Sequence, residues 1–273
     1  MEDNIYKIRN MYCSYAKNKS RSDAILQVKE LDIPRGKVIF FVGPSGVGKS
    51  TILETLGLMN NTLAYAEVFD YAGRDLRNAW NWKDKEKSAF RNKEFSFIFQ
   101  QNNLMPNFSA HDNIITAALF QGESEFSARR RTVDVIKKLD LPIEDRPISQ
   151  YSGGQKQRIA FARAVLPTFS VFFGDEPTGN LDCKSAERLM KLMVESIHER
   201  NSTAIIVSHD IPLAVKYADE IVQIVKIPRP QNPNEFIGFI DNSCAYIRKN
   251  EKWHNSMSTL DEEEIRVKLI EAL

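Results

Sequence analysis

The stretch Gly43-Pro-Ser-Gly-Val-Gly-Lys-Ser-Thr51 matches the pattern G-x-x-x-x-G-K-[ST]. The apolar run Lys37-Val-Ile-Phe-Phe-Val42 before it is typical of a buried parallel strand, and a helix is predicted after it, to about Met59. Glycines let successive backbone N–H groups point inward, and the helix start adds partial positive charge. The stretch therefore predicts a phosphate cradle in which Lys49 reaches the β- and γ-phosphates and Ser50 ligates Mg²⁺.

Buried strands and helices alternate outward from this loop. Apolar runs at Val171-Phe-Phe173 and Thr203-Ala-Ile-Ile-Val207 predict two more core strands, with a helix from about Lys184 to Arg200 between them. This alternation predicts a parallel, doubly wound α/β core. Residues from about 100 to 165 are mostly helical in pattern, which predicts a helical subdomain inserted between core strands.

Two adjacent carboxylates follow the strand Val171-Phe-Phe-Gly-Asp-Glu176. The carboxyl edge of a parallel sheet is where ligands bind, so both acids are predicted to lie beside the phosphate loop. Because neighbouring carboxylates repel, the site needs a cation. We expect Asp175 to hold the Mg²⁺ shell and Glu176 to polarise the attacking water as general base.

Two further strand ends carry polar side chains. His209 follows the strand that ends at Val207, on the same predicted edge as the two acids, which favours a contact with the γ-phosphate. Gln100 ends Phe97-Ile-Phe-Gln, where its carbonyl is able to reach the metal or the water.

The start of a second predicted helix carries groups that can donate hydrogen bonds to an anion. Tyr151-Ser-Gly-Gly-Gln155 offers the Ser152 hydroxyl and the N–H groups of Gly153 and Gly154, but it contains no lysine. It is therefore suited to completing a phosphate site and poorly equipped to form one alone.

In this order, residues 5 to 225 resemble the ATP-binding-cassette (ABC) ATPases. Residues 43–51 resemble the Walker A loop, Gln100 the Q-loop, 151–155 the signature motif, 171–176 the Walker B strand, and His209 the switch histidine. Gly179-Asn-Leu-Asp182 resembles the D-loop, and Tyr15 fits the aromatic residue that stacks on adenine, although a core role is also common there.

The resemblance implies a P-loop NTPase fold of the ABC ATPase type, with a RecA-like parallel-sheet core, an antiparallel β subdomain and an inserted α-helical subdomain. The ATPase domain is expected at 1–226 with its helical insertion at about 101–165, and a C-terminal extension with a tail helix at 227–273. The implied nucleotide-binding residues are Tyr15, Gly43, Pro44, Ser45, Gly46, Val47, Gly48, Lys49, Ser50, Thr51, Gln100, Asp175, Ser152, Gly153, Gly154, Gln155 and Asp182. The implied catalytic residues are Glu176, His209, Lys49 and Gln100, and the implied metal ligands are Ser50, Gln100 and Asp175.

In that family the signature of one subunit closes over ATP held by the Walker A loop of another. The resemblance thus implies an ATPase that uses ATP and Mg²⁺, a second ABC subunit in a homodimer, and an integral membrane permease as partner. It would lie in the cytoplasm, peripheral on the inner face of the cell membrane. Residues 97–106 and 175–182 look most like ATPases of lipoprotein-releasing, macrolide-export and cell-division systems. Tyr65-Ala-Glu67 and the long segment after Val225 depart from that subgroup, so the cargo stays open.

Composition restricts the alternatives. The chain has 273 residues and a formal net charge of +1, so no global positive excess favours nucleic acid. The widely spaced Cys13, Cys183 and Cys244 suit free thiols in a reducing cytosol. The acidic start and the short apolar runs predict neither a secretory signal nor a membrane span.

Two alternatives remain. The first is a soluble ABC ATPase acting on nucleic acid or the ribosome, against which the sequence shows neither long coiled coils nor two joined cassettes. The second concerns the tail, where Ser258-Thr-Leu-Asp-Glu-Glu-Glu264 predicts a capping box. That helix either packs on its own domain or docks on the partner cassette as a regulator.

Overall fold

The computed structural model describes residues 3–141, 146–229 and 232–273, whose strands form two sheets. Sheet I contains β1 (Asn4–Cys13), β2 (Leu26–Pro34), β4 (Leu63–Tyr65), β5 (Val68–Tyr71), β6 (Arg74–Asp75), β11 (Val225–Arg229) and β12 (Asn232–Ile240). Sheet II contains β3 (Val38–Val42), β7 (Phe95–Ile98), β8 (Val171–Asp175), β9 (Thr203–Val207), β10 (Glu220–Gln223), β13 (Ala245–Lys249), β14 (Lys252–His254) and β15 (Thr259–Leu260). The α-helices are α1 (Lys49–Leu56), α2 (Asp84–Glu94), α3 (Ala110–Phe120), α4 (Glu125–Lys138), α5 (Gly153–Val165), α6 (Cys183–Glu199), α7 (Ile211–Tyr217) and α8 (Glu262–Glu271).

Sheet II holds the parallel core, with β10, β3, β9, β8 and β7 side by side. The residues of β3 are buried on both faces, as its unbroken apolar run predicts. Val38, Phe40 and Val42 pack in the cluster beneath α3, α5, α6 and α7, whereas Ile39 and Phe41 pack toward α1 and sheet I. Because successive side chains of a strand point to opposite faces, β3 contributes to the hydrophobic core on both sides of sheet II.

Sheet I covers the other side of α1. Its strand β1 pairs antiparallel with β2, β4 and β5. Ile5, Ile8 and Val28 on these strands share one cluster with Ile52 and Leu56 of α1. The first helix is therefore enclosed between two sheets, which fixes the position of the loop that precedes it.

The helical subdomain differs in detail from its predicted form. The first part of the predicted helical region contains two helices, α3 and α4, because Gly122 adopts φ 84° between them and the Ser124 side chain caps the new helix. Helix α1 ends at Leu56, where Gly57 caps it, rather than near Met59. Helix α2 was not predicted, and its residues are mostly polar and exposed.

Residues after 226 join both sheets. Strand β12 pairs parallel with β2 of sheet I, and β13 pairs antiparallel with β10 of sheet II. The tail helix α8 buries Ile265 and Leu269 in the main core cluster, so it packs on its own chain. Its capping box is formed by Asp261 and Glu264, not by Ser258, because Thr259 and Leu260 pair with β14.

None of the helices within the described ranges is long and apolar enough to cross a bilayer.

Candidate nucleotide site

The phosphate loop joins β3 to α1 as the motif predicts. Gly48 is the N-cap of α1 and adopts φ 104°, a conformation that L residues rarely reach. It offers no side-chain cap, so the first N–H groups of α1 keep their capacity to donate to an anion. The backbone alone thus supplies the donors of the cradle.

Lys49 lies across this loop. Its Nζ donates to the carbonyl oxygens of Gly43 at 2.7 Å and Pro44 at 3.0 Å. Burial lowers the pKa of the ammonium, while the carboxylates of Glu176 and Asp175 act in the opposite direction. The cation is therefore partly stripped of water and held at the loop by weak neutral acceptors, which phosphate oxygens can replace with stronger, charge-assisted bonds.

Asp175 ends β8 beside the start of α1. Burial and the neighbouring charge of Glu176 raise its pKa, and a hydrogen bond from the Ser50 hydroxyl acts the other way. The predicted pair of metal ligands, Ser50 and Asp175, thus lies together beside the phosphate loop. A bound cation would stabilise the charged carboxylate that burial disfavours.

These donors fit Mg²⁺. This ion is usually held by one or two protein oxygens together with substrate phosphates, not by a cage of side chains. Within the described residues no group of three or more His, Cys, Asp or Glu is placed to hold a metal ion. The hydroxyl and carboxylate pair beside the phosphate loop has the smaller donor set that such an ion takes.

Glu176 and His209 are brought together as the sequence predicts. His209 Nδ1 lies 2.8 Å from Glu176 Oε2, with the Glu176 side chain 13% exposed and the His209 side chain 67% exposed. The Glu176 backbone adopts φ 48°, which is strained for a side chain of this size, and its N–H donates to the Val207 carbonyl at 2.9 Å. Strain of this kind clusters at functional sites, where the surrounding fold must hold it.

Two other predicted residues lie at the rim. Gln100 is exposed after β7, and its backbone carbonyl accepts from Asn180 Nδ2 at 3.2 Å, which ties it to the turn after Glu176. Tyr15 is 54% exposed and donates to Glu54 Oε2 at 2.5 Å on α1. Burial raises the pKa of its hydroxyl to about 12. Its ring therefore stands on the exposed side of α1, the helix that begins with Lys49.

The second helix start is organised differently. Ser152 is the N-cap of α5 and forms a reciprocal capping box with Gln155, in which the Ser152 N–H donates to Gln155 Oε1 at 2.9 Å and the Gln155 N–H to Ser152 Oγ at 3.3 Å. Ser152 and Gly153 are exposed. A Cβ added at Gly153 would meet no atom within 4 Å. This start therefore presents an open surface.

The signature start and the D-loop meet within one chain. A Cβ at Gly154 would lie 3.3 Å from Leu181 Cδ2, and the next residue, Asp182, caps α6. The Asp182 carboxylate accepts from the Ser185 N–H and hydroxyl, and the hydroxyl bond in particular holds the pKa of Asp182 below its usual value.

Sequence reasoning missed Gln157. Its side chain is fully buried, and Nε2 donates to the Pro177 carbonyl at 2.5 Å, directly after Glu176. This hydrogen bond links α5 to the turn that follows Glu176. The available signal was its spacing of four residues before Phe161, which places a polar side chain on the buried face of α5.

A glycine-rich phosphate loop, paired carboxylates and a histidine at one sheet edge define an ATPase of the P-loop class. The ABC transporter family profile matches residues 26–179, and the chain belongs to that family. Family membership confirms the predicted ABC fold and makes the chain an ATP-binding, ATP-hydrolysing cassette of the transporter type.

Several relatives extend over most of the chain. The lipoprotein-releasing system ATP-binding protein LolD of Myxococcus xanthus is 35% identical over 212 residues, covering 77% of this chain and 92% of its own. LolD of Bacteroides thetaiotaomicron is 36% identical over 203 residues, covering 74% and 90%. The macrolide export ATP-binding/permease protein MacB of Hahella chejuensis is 36% identical over 203 residues, covering 74% of this chain but 30% of that protein.

Solved structures agree with the fold. A dimeric ATP-binding cassette in a post-hydrolysis state, bound to ADP and Pi, matches with a TM-score of 0.68 and 28% identity, covering 80% of this chain and 93% of that one. CbiO1 from Clostridium perfringens, part of an ABC transporter complex, matches with a TM-score of 0.71 over 98% of this chain and 93% of its own. At 23% identity the latter likeness shows the fold alone.

Proposed function

We propose that the chain is the ATP-hydrolysing subunit of a lipoprotein-release or export system, acting as a pair of copies bound to a membrane permease. It would lie at the cytoplasmic face of the membrane. The observation that carries this proposal is the separation of roles between its two helix starts. One has Lys49 lying across its loop with the two acids and the histidine beside it, and the other is exposed and is capped by its own Ser152 and Gln155.

The proposed residue roles are supported by the positions of these side chains. The N–H groups at the start of α1 and the Lys49 ammonium bind the phosphates, and Ser50 with Asp175 would hold Mg²⁺, which neutralises phosphate charge when bound. The Glu176 carboxylate accepts a proton from the attacking water while the oxygen of that water forms a bond to the γ-phosphorus. The bond from that phosphorus to the β–γ bridging oxygen breaks, and ADP leaves with the electron pair. His209 Nδ1 holds one oxygen of Glu176, which leaves the other to face the water.

Closure of two copies completes each site. Ser152, Gly153 and Gly154 of one copy would donate to the γ-phosphate held by Lys49 of the other, and Asp182 would lie at the same junction. The dimeric cassette with ADP and Pi supports this arrangement as a relative of the same fold. Binding energy of ATP closes the pair, and repulsion between the products opens it.

A permease partner is supported by the relatives. LolD belongs by name to a lipoprotein-releasing system, and the name of MacB joins an ATP-binding part to a permease. Since this chain covers 30% of MacB, it corresponds in length to only a portion of such a machine. A nucleic-acid role has no comparable support.

The test is co-purification from membranes. Tagged chain should retain an integral membrane protein, and the complex should hydrolyse ATP faster than the chain alone. Glu176→Gln serves as the control for background hydrolysis, since it keeps the surface and lacks the base. A chain that retains no membrane protein, yet binds RNA or DNA tightly at physiological salt, would instead support the nucleic-acid alternative.

A further inference from the structure

Strand β12, which lies beyond the predicted ATPase domain, passes directly behind the phosphate loop. Gly238 on this strand is buried, and a Cβ built on it would lie 1.9 Å from the carbonyl oxygen of Val47. Real Cβ atoms essentially never come within 3.0 Å of a heavy atom in a distant part of the chain. Only glycine therefore lets β12 approach the loop this closely.

The strand is held firmly in that position. The Gly238 N–H donates to the Ile25 carbonyl at 2.9 Å, and Gly238 pairs with Leu26 in the parallel register of β12 and β2. Strand β11 pairs along the other edge of β12, and Ile240 two residues on is fully buried. Crowding at Gly238 would thus fall on the loop rather than on the strand.

The position of the Val47 carbonyl determines the direction of the next backbone N–H in the loop. The carbonyl of Val47 and the N–H of Gly48 belong to one planar peptide, and the bond is trans, so they point in opposite directions. With the carbonyl against Gly238, the Gly48 N–H points away from β12. Moving the oxygen from 1.9 Å to 3.0 Å turns this peptide and re-aims a donor at the start of α1.

We propose that Gly238 is a positioning residue for ATP binding, through which the C-terminal segment sets the direction of the peptide between Val47 and Gly48. The inference rests on the proposed nucleotide site. It makes β12 part of the support of the phosphate loop and not an accessory extension. A side chain at position 238 would misplace a phosphate donor by about 1 Å, and misplacement on that scale costs on the order of 10²-fold in kcat/KM.

The test compares Gly238→Ala with Ile237→Ala in the full chain. Ile237 is the neighbouring buried residue of β12, and its truncation weakens the strand without adding an atom near the loop. Thermal unfolding without nucleotide, ADP binding and the KM for ATP are measured for both. We expect both variants to lose thermal stability and only Gly238→Ala to bind ADP more weakly and show a raised KM. Equal nucleotide binding by Gly238→Ala and the wild-type chain would overturn the inference, whereas failure of the wild-type chain to bind ADP would overturn the proposed function itself.

Hydrogen exchange of the wild-type chain decides the case where Gly238→Ala does not fold. ADP should slow amide exchange in β12, which backs the loop. It should leave β14 unchanged, since β10 and β13 separate that strand from β3, which leads into the loop. Unchanged exchange in β12 with saturating ADP would contradict the proposal.

Discussion

The two helix starts that we assign to phosphate binding differ in what surrounds them. The start of α1 lies between two sheets, is preceded by the fully buried strand β3, and has Lys49, Asp175 and Glu176 beside it. The start of α5 lies at the surface, satisfies its first donors with its own Ser152 and Gln155, and exposes Gly153. Both offer N–H groups, but at the first the Lys49 ammonium also lies across the loop with Asp175 and Glu176 nearby.

This difference teaches why one chain carries two cradles. A helix start with a lysine can bind a triphosphate by itself, because the ammonium offsets phosphate charge. A start with no lysine folded over its loop is better suited to completing a site around a nucleotide that another loop already holds. We therefore assign binding to α1 and completion to α5 of a second copy.

The largest effect is expected from Glu176→Gln. The amide cannot accept the proton of the attacking water, so kcat should fall about 10²–10⁴-fold. Binding should survive, because Lys49 and the loop are untouched, and the closed pair should accumulate with ATP. Measured turnover and particle mass check both parts, with Glu187→Gln as an exposed control. Normal turnover would show that Glu176 is not the base.

Lys49→Ala tests the first helix start. Loss of a preorganised donor to the phosphates should lower turnover about 10²–10³-fold, together with a loss of ATP affinity in the monomer. Titration with a fluorescent ATP analogue measures the affinity. Lys216→Ala, which removes an exposed lysine paired with Glu187, is the matched control and should change neither quantity. Unaltered affinity in Lys49→Ala would remove the distinction between the two helix starts.

Ser152→Arg tests the second helix start. A long cation at this exposed position should obstruct the facing copy's nucleotide at that one site, so turnover should fall on the order of 10²-fold or more when both sites carry the change. Affinity of the isolated chain for ATP should stay as in the wild type, opposite to Lys49→Ala. Ser152→Ala removes the cap but leaves the N–H groups, so it should lose about 1 kcal/mol of stability and retain more turnover. Weakened monomer binding in Ser152→Arg would contradict the division of roles.

Mixing the two inactive variants sharpens the comparison. A pair formed from Lys49→Ala and Ser152→Arg contains one site with both helix starts intact. An equimolar mixture should recover up to about a quarter of the wild-type rate, since half the pairs are mixed and each has one complete site. A mixture no more active than its separate components would argue against composite sites.

The smallest effect concerns Asp175 and pH. Burial raises the pKa of this carboxyl in the folded chain, so the folded state binds its proton more tightly than the unfolded state. The free energy of unfolding therefore falls as pH rises through the pKa of this carboxyl in the unfolded state, about 3.9. The fall is complete once pH exceeds the raised pKa of the folded state. Without nucleotide, Asp175→Asn should have the higher Tm at pH 7, and the difference should shrink toward acid. A lower Tm for the variant at pH 7 would contradict this.

Local pattern predicted the core and most of the candidate site. The motifs at Gly43, Asp175 and His209 lie at strand ends, where the strand pattern alone places them on one edge. Gln157 and Gly238 were missed because their importance depends on contacts with Pro177 and Val47, which are distant in sequence. The start of the tail helix was predicted too early in the sequence. Strand β15 pairs with β14, so the helix begins only after β15, and local sequence pattern does not contain this tertiary contact.

The central claim is that one nucleotide is enclosed by two copies of the chain. Its most direct test is the ATPase rate per molecule, measured over a range of dilutions alongside particle mass. The rate per molecule should fall with dilution in parallel with the fraction of paired chains. A constant rate, with full activity in particles proven to be single chains, would contradict the account.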